Sequence, residues 1–176
     1  MKQIAIVIDW YGPYSLEEAK SASKLHFNSG LYMAIGKIKY QKTKSKLQYI
    51  GLAKSLEYRL CNGHKKLCMV CTGLQIWLGE IVSNGVSGKK DKATNRLLDL
   101  AEWAHIYFAD IQLNEKKTSN PPDKPVTVVN RWWKINDTPR IRKVHKDWPE
   151  LIDYHGLEYG AVVSNGRSRR RITFED

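Results

Sequence analysis

Two runs, GLYMAIGKIKY from Gly30 to Tyr40 and KLQYIG from Lys46 to Gly51, flank the polar stretch QKTKSK and read as the two strands of a β-hairpin. Its tip carries Lys42, Lys44 and Lys46. A third strand is expected in LQIWLGEIV. Between it and the hairpin, the segment after Gly51 reads as a turn followed by a helix, with Leu52, Leu56 and Leu60 on one stripe. At 100° per residue Arg59 falls within roughly 20° of Leu52, at the border of that stripe, while Lys54, Glu57 and Tyr58 take the far side. An arginine placed there suggests a guanidinium aimed into a cleft, against the plainer alternative of a side chain snorkelling over the core edge.

A second helix is expected through ATNRLLDLAEWAHIYFADIQL, burying Leu97, Ala101, Ala104, Phe108 and Ile111, with Asn114 just past its end. At the amino terminus, the apolar run Ile4 to Ile8 is too short for a signal-peptide core or a membrane span, and reads as a strand. Gly12-Pro13 marks a turn, and Ser15 with Glu18 forms a capping box opening a helix. After the break TSNPPDKP come a strand in VTVVNRWW, a basic cluster in PRIRKVHK and a hairpin turning at Asn165-Gly166. The organisation expected is a strand-helix extension over 1–29, a central domain over 30–117 and an accessory segment over 118–176 packed on it.

Charge narrows the partner. The chain of 176 residues carries a net +11, and residues 30–117 hold 15 basic against 7 acidic residues. An excess of that size favours an extended polyanion, with nucleic acid as the leading class. Three cysteines, an odd number, do not suggest an oxidised secretory framework, so the cytoplasm is the expected location.

The order Gly30-Leu31-Tyr32, then Tyr49-Ile50-Gly51, then Arg59, Glu102 and Asn114 resembles the GIY-YIG nuclease family, over about Gly30 to Lys117. Leu31 replaces the isoleucine of the family's name, and the loop between the tyrosine motifs is longer than in compact members. The resemblance implies an α/β fold with a small antiparallel sheet flanked by helices, and a metal-dependent DNA endonuclease. It implies that Glu102 holds one Mg²⁺ or Mn²⁺, that Arg59 sits on the scissile phosphate, that Tyr32 receives the proton of the attacking water and that Tyr49 orients water or phosphate. Asn114 belongs to the same catalytic set. His64, five residues past Arg59, matches a histidine that many members use to bind phosphate or relay a proton.

DNA would be held by Lys42, Lys44 and Lys46 together with Arg167, Arg169, Arg170 and Arg171, about half of the arginines turning instead to core or acidic partners because strand side chains alternate. Of Trp132 and Trp133, one is expected in the core and one under the linker. The alternative reading is a nucleic-acid-binding module on the same scaffold without cleavage. A third class is a structural zinc protein, since Cys61, His64, Cys68 and Cys71 are four possible ligands. The three residues between His64 and Cys68 are short for a zinc ribbon, so buried thiols are the expectation. His105, one turn past Glu102, is expected at the helix border.

Overall fold

The computed structural model describes residues 3–61, 63–83, 95–140, 147–166 and 168–174. The elements in chain order are β1 (Ile4–Tyr14), α1 (Leu16–His26), β2 (Gly30–Ile38), β3 (Lys46–Ala53), α2 (Leu56–Cys61), α3 (Lys65–Cys68), β4 (Val70–Ser83), α4 (Asn95–Phe108), β5 (Val126–Trp133), β6 (Leu151–Tyr154), β7 (Ala161–Asn165) and β8 (Ser168–Ile172). The fold is mixed α/β. Instead of a small sheet, eight strands among the described residues form one sheet in the order β3-β2-β4-β1-β5-β6-β7-β8.

The enlargement comes from the two ends of the chain. β1 is covered on both faces, with Ile6, Ile8 and Trp10 fully buried on one and Asp9 buried on the other. It sits between β4, which it pairs antiparallel, and β5, which it pairs parallel from Ile4↔Val126 to Tyr11↔Trp133. β6, β7 and β8 continue the sheet antiparallel. Gly12-Pro13 lies inside β1, where the pairing with β4 shifts register, and does not form the expected turn. The capping box at Ser15 and Glu18 is formed as expected, each side chain bonding the other residue's backbone N–H.

Period-two alternation divides β2 between two cores. Leu31, Met33 and Ile35 face the core covered by α4, while Tyr32 and Ala34 face the core closed by Leu56 and Leu60 of α2 and Leu67 of α3. Trp148 joins the first core to the strands around it, its ring 5.0 Å from Trp10, 5.6 Å from Trp77 and 4.3 Å from Trp132. Trp132 is thus the core member of the tryptophan pair. Trp133 is half-buried and stacks on Tyr11, 6.2 Å between centroids.

Two expected elements are redrawn. Gly51 is not a turn: β3 runs on to Ala53, and α2 starts only at Leu56, whose N–H bonds Asn28 O. The helix expected through Leu113 ends at Phe108, because the following residues are claimed by the free edge of β3. Phe108, Ala109 and Ile111 belong to the core on the α4 side and Leu113 to the other, so the chain crosses the sheet edge between Ile111 and Leu113. Leu113 N–H donates to Gln48 O at 2.9 Å. His105 is fully buried, not at a border, bonded to Ala101 O and the Asn130 side chain. Among the described residues, no helix is long and apolar enough to cross a membrane.

Candidate active site

Gly51 makes room for the centre of the site. It pairs with Tyr32 across the β2–β3 ladder, and a Cβ at residue 51 would lie 2.5 Å from the Tyr32 hydroxyl. Only a residue without a side chain lets that phenol lie across β3. Tyr32 is fully buried, and Tyr49 lies beside it with ring centroids 5.8 Å apart.

Two further side chains converge on the same hydroxyl. Arg59, exposed on α2, donates from Nε to Tyr32 Oη at 3.0 Å. The guanidinium therefore does turn inward, because α2 begins late enough to stand over the tyrosines. His64, buried as the N-cap of α3, places Nε2 2.6 Å from the same oxygen, and its ring stands edge-on to both tyrosines. Leu67 N–H donates to His64 Nδ1 at 3.3 Å, which assigns the ring proton to Nε2. Tyr32 Oη thus accepts two N–H groups and keeps its own proton to give.

Electrostatics follow from that enclosure. Burial pushes the Tyr32 pKa far above that of a free phenol, Tyr49 adds to the effect, and the Arg59 hydrogen bond opposes it. Burial and the Arg59 charge lower His64 to about 4, so the ring is neutral at pH 7. The hydrogen bond to Tyr32 raises Arg59 further, and it remains a permanent cation.

Glu102 and Asn114 arrive from the other core, at the free edge of β3. Asn114 accepts from Ile50 N–H at 3.1 Å and donates to Ile50 O at 2.8 Å, imitating a paired strand. Glu102 is half-buried, and its Oε1 accepts from Leu52 N–H at 2.9 Å. Leu52 directly follows Gly51, so the carboxylate is fixed one residue along β3 from the glycine under the phenol. Glu102 Oε2 accepts from Lys117 Nζ at 2.7 Å. Lys117 also donates to Asp99 Oδ1 at 2.6 Å and to Asp99 O at 3.2 Å. Lys66 of α3 pairs with Glu115 and ties the crossing loop to the tyrosine side.

Tyr32, Tyr49, Arg59 and His64 are therefore brought together, and Glu102 and Asn114 are held along the strand that carries Tyr49. The Asn114 amide is spent on Ile50, which gives it an edge-capping role. Sequence reasoning missed Lys117 and Asp99. Asp99 stands three residues before Glu102, a spacing that shares a helix face, whereas Lys117 follows no periodic pattern.

The set fits a hard divalent ion better than zinc. Glu102 Oε2, Asp99 Oδ1 and Asp99 O are all oxygen donors already gathered around one cationic group, the Lys117 ammonium. The zinc alternative loses its histidine, since both His64 nitrogens are engaged, and Cys61, Cys68 and Cys71 are exposed rather than buried. Among the described residues there is no cluster of three or more His, Cys, Asp or Glu side chains able to hold a metal.

The cationic residues expected to hold DNA divide. Lys42 and Lys44 are exposed at the hairpin tip, and Lys46 is half-buried. Arg169, Arg170 and Arg171 are exposed on β8, while Arg167 lies outside the described residues. Arg170 also donates from Nη2 to Phe108 O at the carboxy end of α4, where a cation suits the helix dipole. Lys46 and Arg170, distant in sequence, line one cavity of about 320 Å³ together with Asp110 and Asp147.

Compared with family models, with curated proteins and with solved structures, the chain matches none.

Proposed function

We propose that this chain is a metal-dependent DNA endonuclease of the GIY-YIG type, hydrolysing phosphodiester bonds in the cytoplasm. One observation carries the reading: Arg59 and His64, from separate elements, meet on the Tyr32 hydroxyl, beside the strand edge where Glu102 is fixed. Phosphodiester hydrolysis is largely a matter of placed charge and placed donors, and this cluster has both.

Arg59 is assigned to the scissile phosphate. Its Nε is committed to Tyr32, which orients the planar guanidinium while the residue stays exposed to a substrate. Tyr32 is a neutral phenol at rest. To take the proton of the attacking water it would first give its own proton to solvent, the Arg59 hydrogen bond favouring the anion against the effect of burial. His64 holds that oxygen in place, and Tyr49 lines the same pocket. A divalent cation at Glu102 would stabilise charge on the phosphoryl oxygens. Glu102 is pre-oriented for it by Leu52 N–H, and Asn114 caps the same edge of β3 at Ile50.

The net charge of +11 and the exposed Lys42, Lys44, Arg169 and Arg171 supply a phosphate-binding surface. A second reading, DNA binding without cleavage, is favoured by the Lys117 ammonium on Glu102 Oε2. Incubating the purified protein with duplex and branched DNA, with and without Mg²⁺, separates the two. Mg²⁺-dependent strand breaks are expected, and retention of intact DNA at every Mg²⁺ concentration would favour the binding module.

A further inference from the structure

The Glu102 carboxylate has two oxygens with different fates. Oε1 is occupied by a backbone N–H of β3, an interaction that positions the group without changing its charge. Oε2 is therefore the oxygen open to a cation, and it is the one that Lys117 holds. The lysine is not a casual surface partner. Its side chain is only 20% exposed and makes three contacts, to Glu102 Oε2, Asp99 Oδ1 and Asp99 O.

The backbone supports a specific placement. Lys117 has φ of 64°, in the left-handed region that residues with a Cβ seldom adopt. Three residues earlier Asn114 pins the chain to Ile50, so the left-handed turn follows shortly after a fixed point and sends the side chain back towards α4. Glycine or asparagine is the usual choice for such a conformation, and an unusual lysine there points to work done by its ammonium.

Resting on the proposed nuclease reading, we propose that Lys117 is a built-in counter-ion of Glu102 that a divalent cation displaces, so that this lysine sets the cation concentration at which the site loads. In the resting chain the ammonium neutralises the carboxylate and keeps it in place. An arriving divalent cation competes for Oε2, and the displaced ammonium is left beside Asp99 or swings to solvent. Two positive groups cannot share that oxygen without repulsion. Lys117 is a positioning residue in this account and touches no substrate.

The test measures Mn²⁺ binding without DNA, by calorimetry or by the loss of the free-ion paramagnetic resonance signal, on the full chain and on Lys117→Met, Lys117→Arg and Glu102→Gln. Losing a charge-assisted contact should tighten Mn²⁺ binding by about ten- to a hundredfold in Lys117→Met. Lys117→Arg, which keeps the charge, should bind no better than wild type, and Glu102→Gln should abolish the site in either background. Should the methionine variant not fold, as judged by thermal denaturation, Lys117→Gly removes the same charge and suits the left-handed backbone. Equal Mn²⁺ affinity in wild type and the folded uncharged variant overturns the proposal, whether or not the protein cleaves DNA. Tighter Mn²⁺ binding without DNA cleavage by any variant supports the displaced counter-ion and sinks the nuclease reading instead.

Discussion

Replacing Gly51 by alanine probes the packing that creates the site. The added methyl would lie 2.5 Å from Tyr32 Oη, 2.6 Å from Cζ and 2.9 Å from Cε1, where carbon contacts are normally about 3.5–4.0 Å. Tyr32 is fully buried, and its hydroxyl is held by Arg59 and His64, so the ring cannot withdraw by about 1 Å without breaking both bonds. Overpacking costs about 1–3 kcal/mol and each lost hydrogen bond about 1 kcal/mol, giving about 3–5 kcal/mol in all. Urea denaturation of the single variants and of Gly51→Ala with Tyr32→Phe measures this. In the phenylalanine background the hydroxyl and its bonds are already gone, so alanine should cost only the overpacking part, a coupling of about 2 kcal/mol. A Gly51→Ala variant within about 0.5 kcal/mol of wild type, or no coupling to Tyr32, would refute the argument.

Arg59→Ala should lower cleavage about a hundred- to a thousandfold, and Arg59→Lys should recover little because lysine lacks the fork that meets Tyr32 and phosphate together; full recovery in steady-state cleavage would reduce the role to a point charge. Stability should fall as pH drops through the window from 6.5 to about 4, because His64 and His105 stay neutral in the fold while the unfolded chain takes up their protons. For the fully buried His105 this amounts to about 3 kcal/mol, present in full above pH 6.5, and urea midpoints unchanged between pH 7 and pH 4.5 would contradict it. Lys42→Gln and Lys44→Gln should each lower the salt slope of DNA binding by about 0.9 with folding unchanged, whereas Arg170→Ala should also cost about 1 kcal/mol of stability through its lost bond to Phe108 O.

Local signals in the sequence were accurate where local physics decides. The lysine-tipped hairpin of β2 and β3, the capping box at Ser15 and the Asn165-Gly166 turn each follow from a few adjacent residues. The order Tyr32, Tyr49, Arg59 and His64 was readable as a set, and these side chains do lie together. What escaped depends on contacts between distant segments. The parallel pairing of β1 with β5 joins residues more than a hundred positions apart, and no local pattern announces it. Gly51 resembles a turn residue in isolation, and only the phenol lying over it explains a glycine in mid-strand. The helix pattern of α4 persists past Phe108, but tertiary bonds to the β3 edge overrule it. Lys117 was invisible for the same reason: its partners lie fifteen and eighteen residues back along the chain.

The central claim is that Glu102 serves a metal-dependent nuclease. Binding and cleavage of one DNA substrate, measured in parallel for wild type and Glu102→Gln across a Mg²⁺ series, test it most directly. The glutamine keeps an oxygen for Leu52 N–H and removes the charge, so the fold and DNA affinity should be retained while Mg²⁺-dependent cleavage collapses. Cleavage by Glu102→Gln at the wild-type rate, or cleavage by the wild type that does not depend on Mg²⁺, would contradict the account.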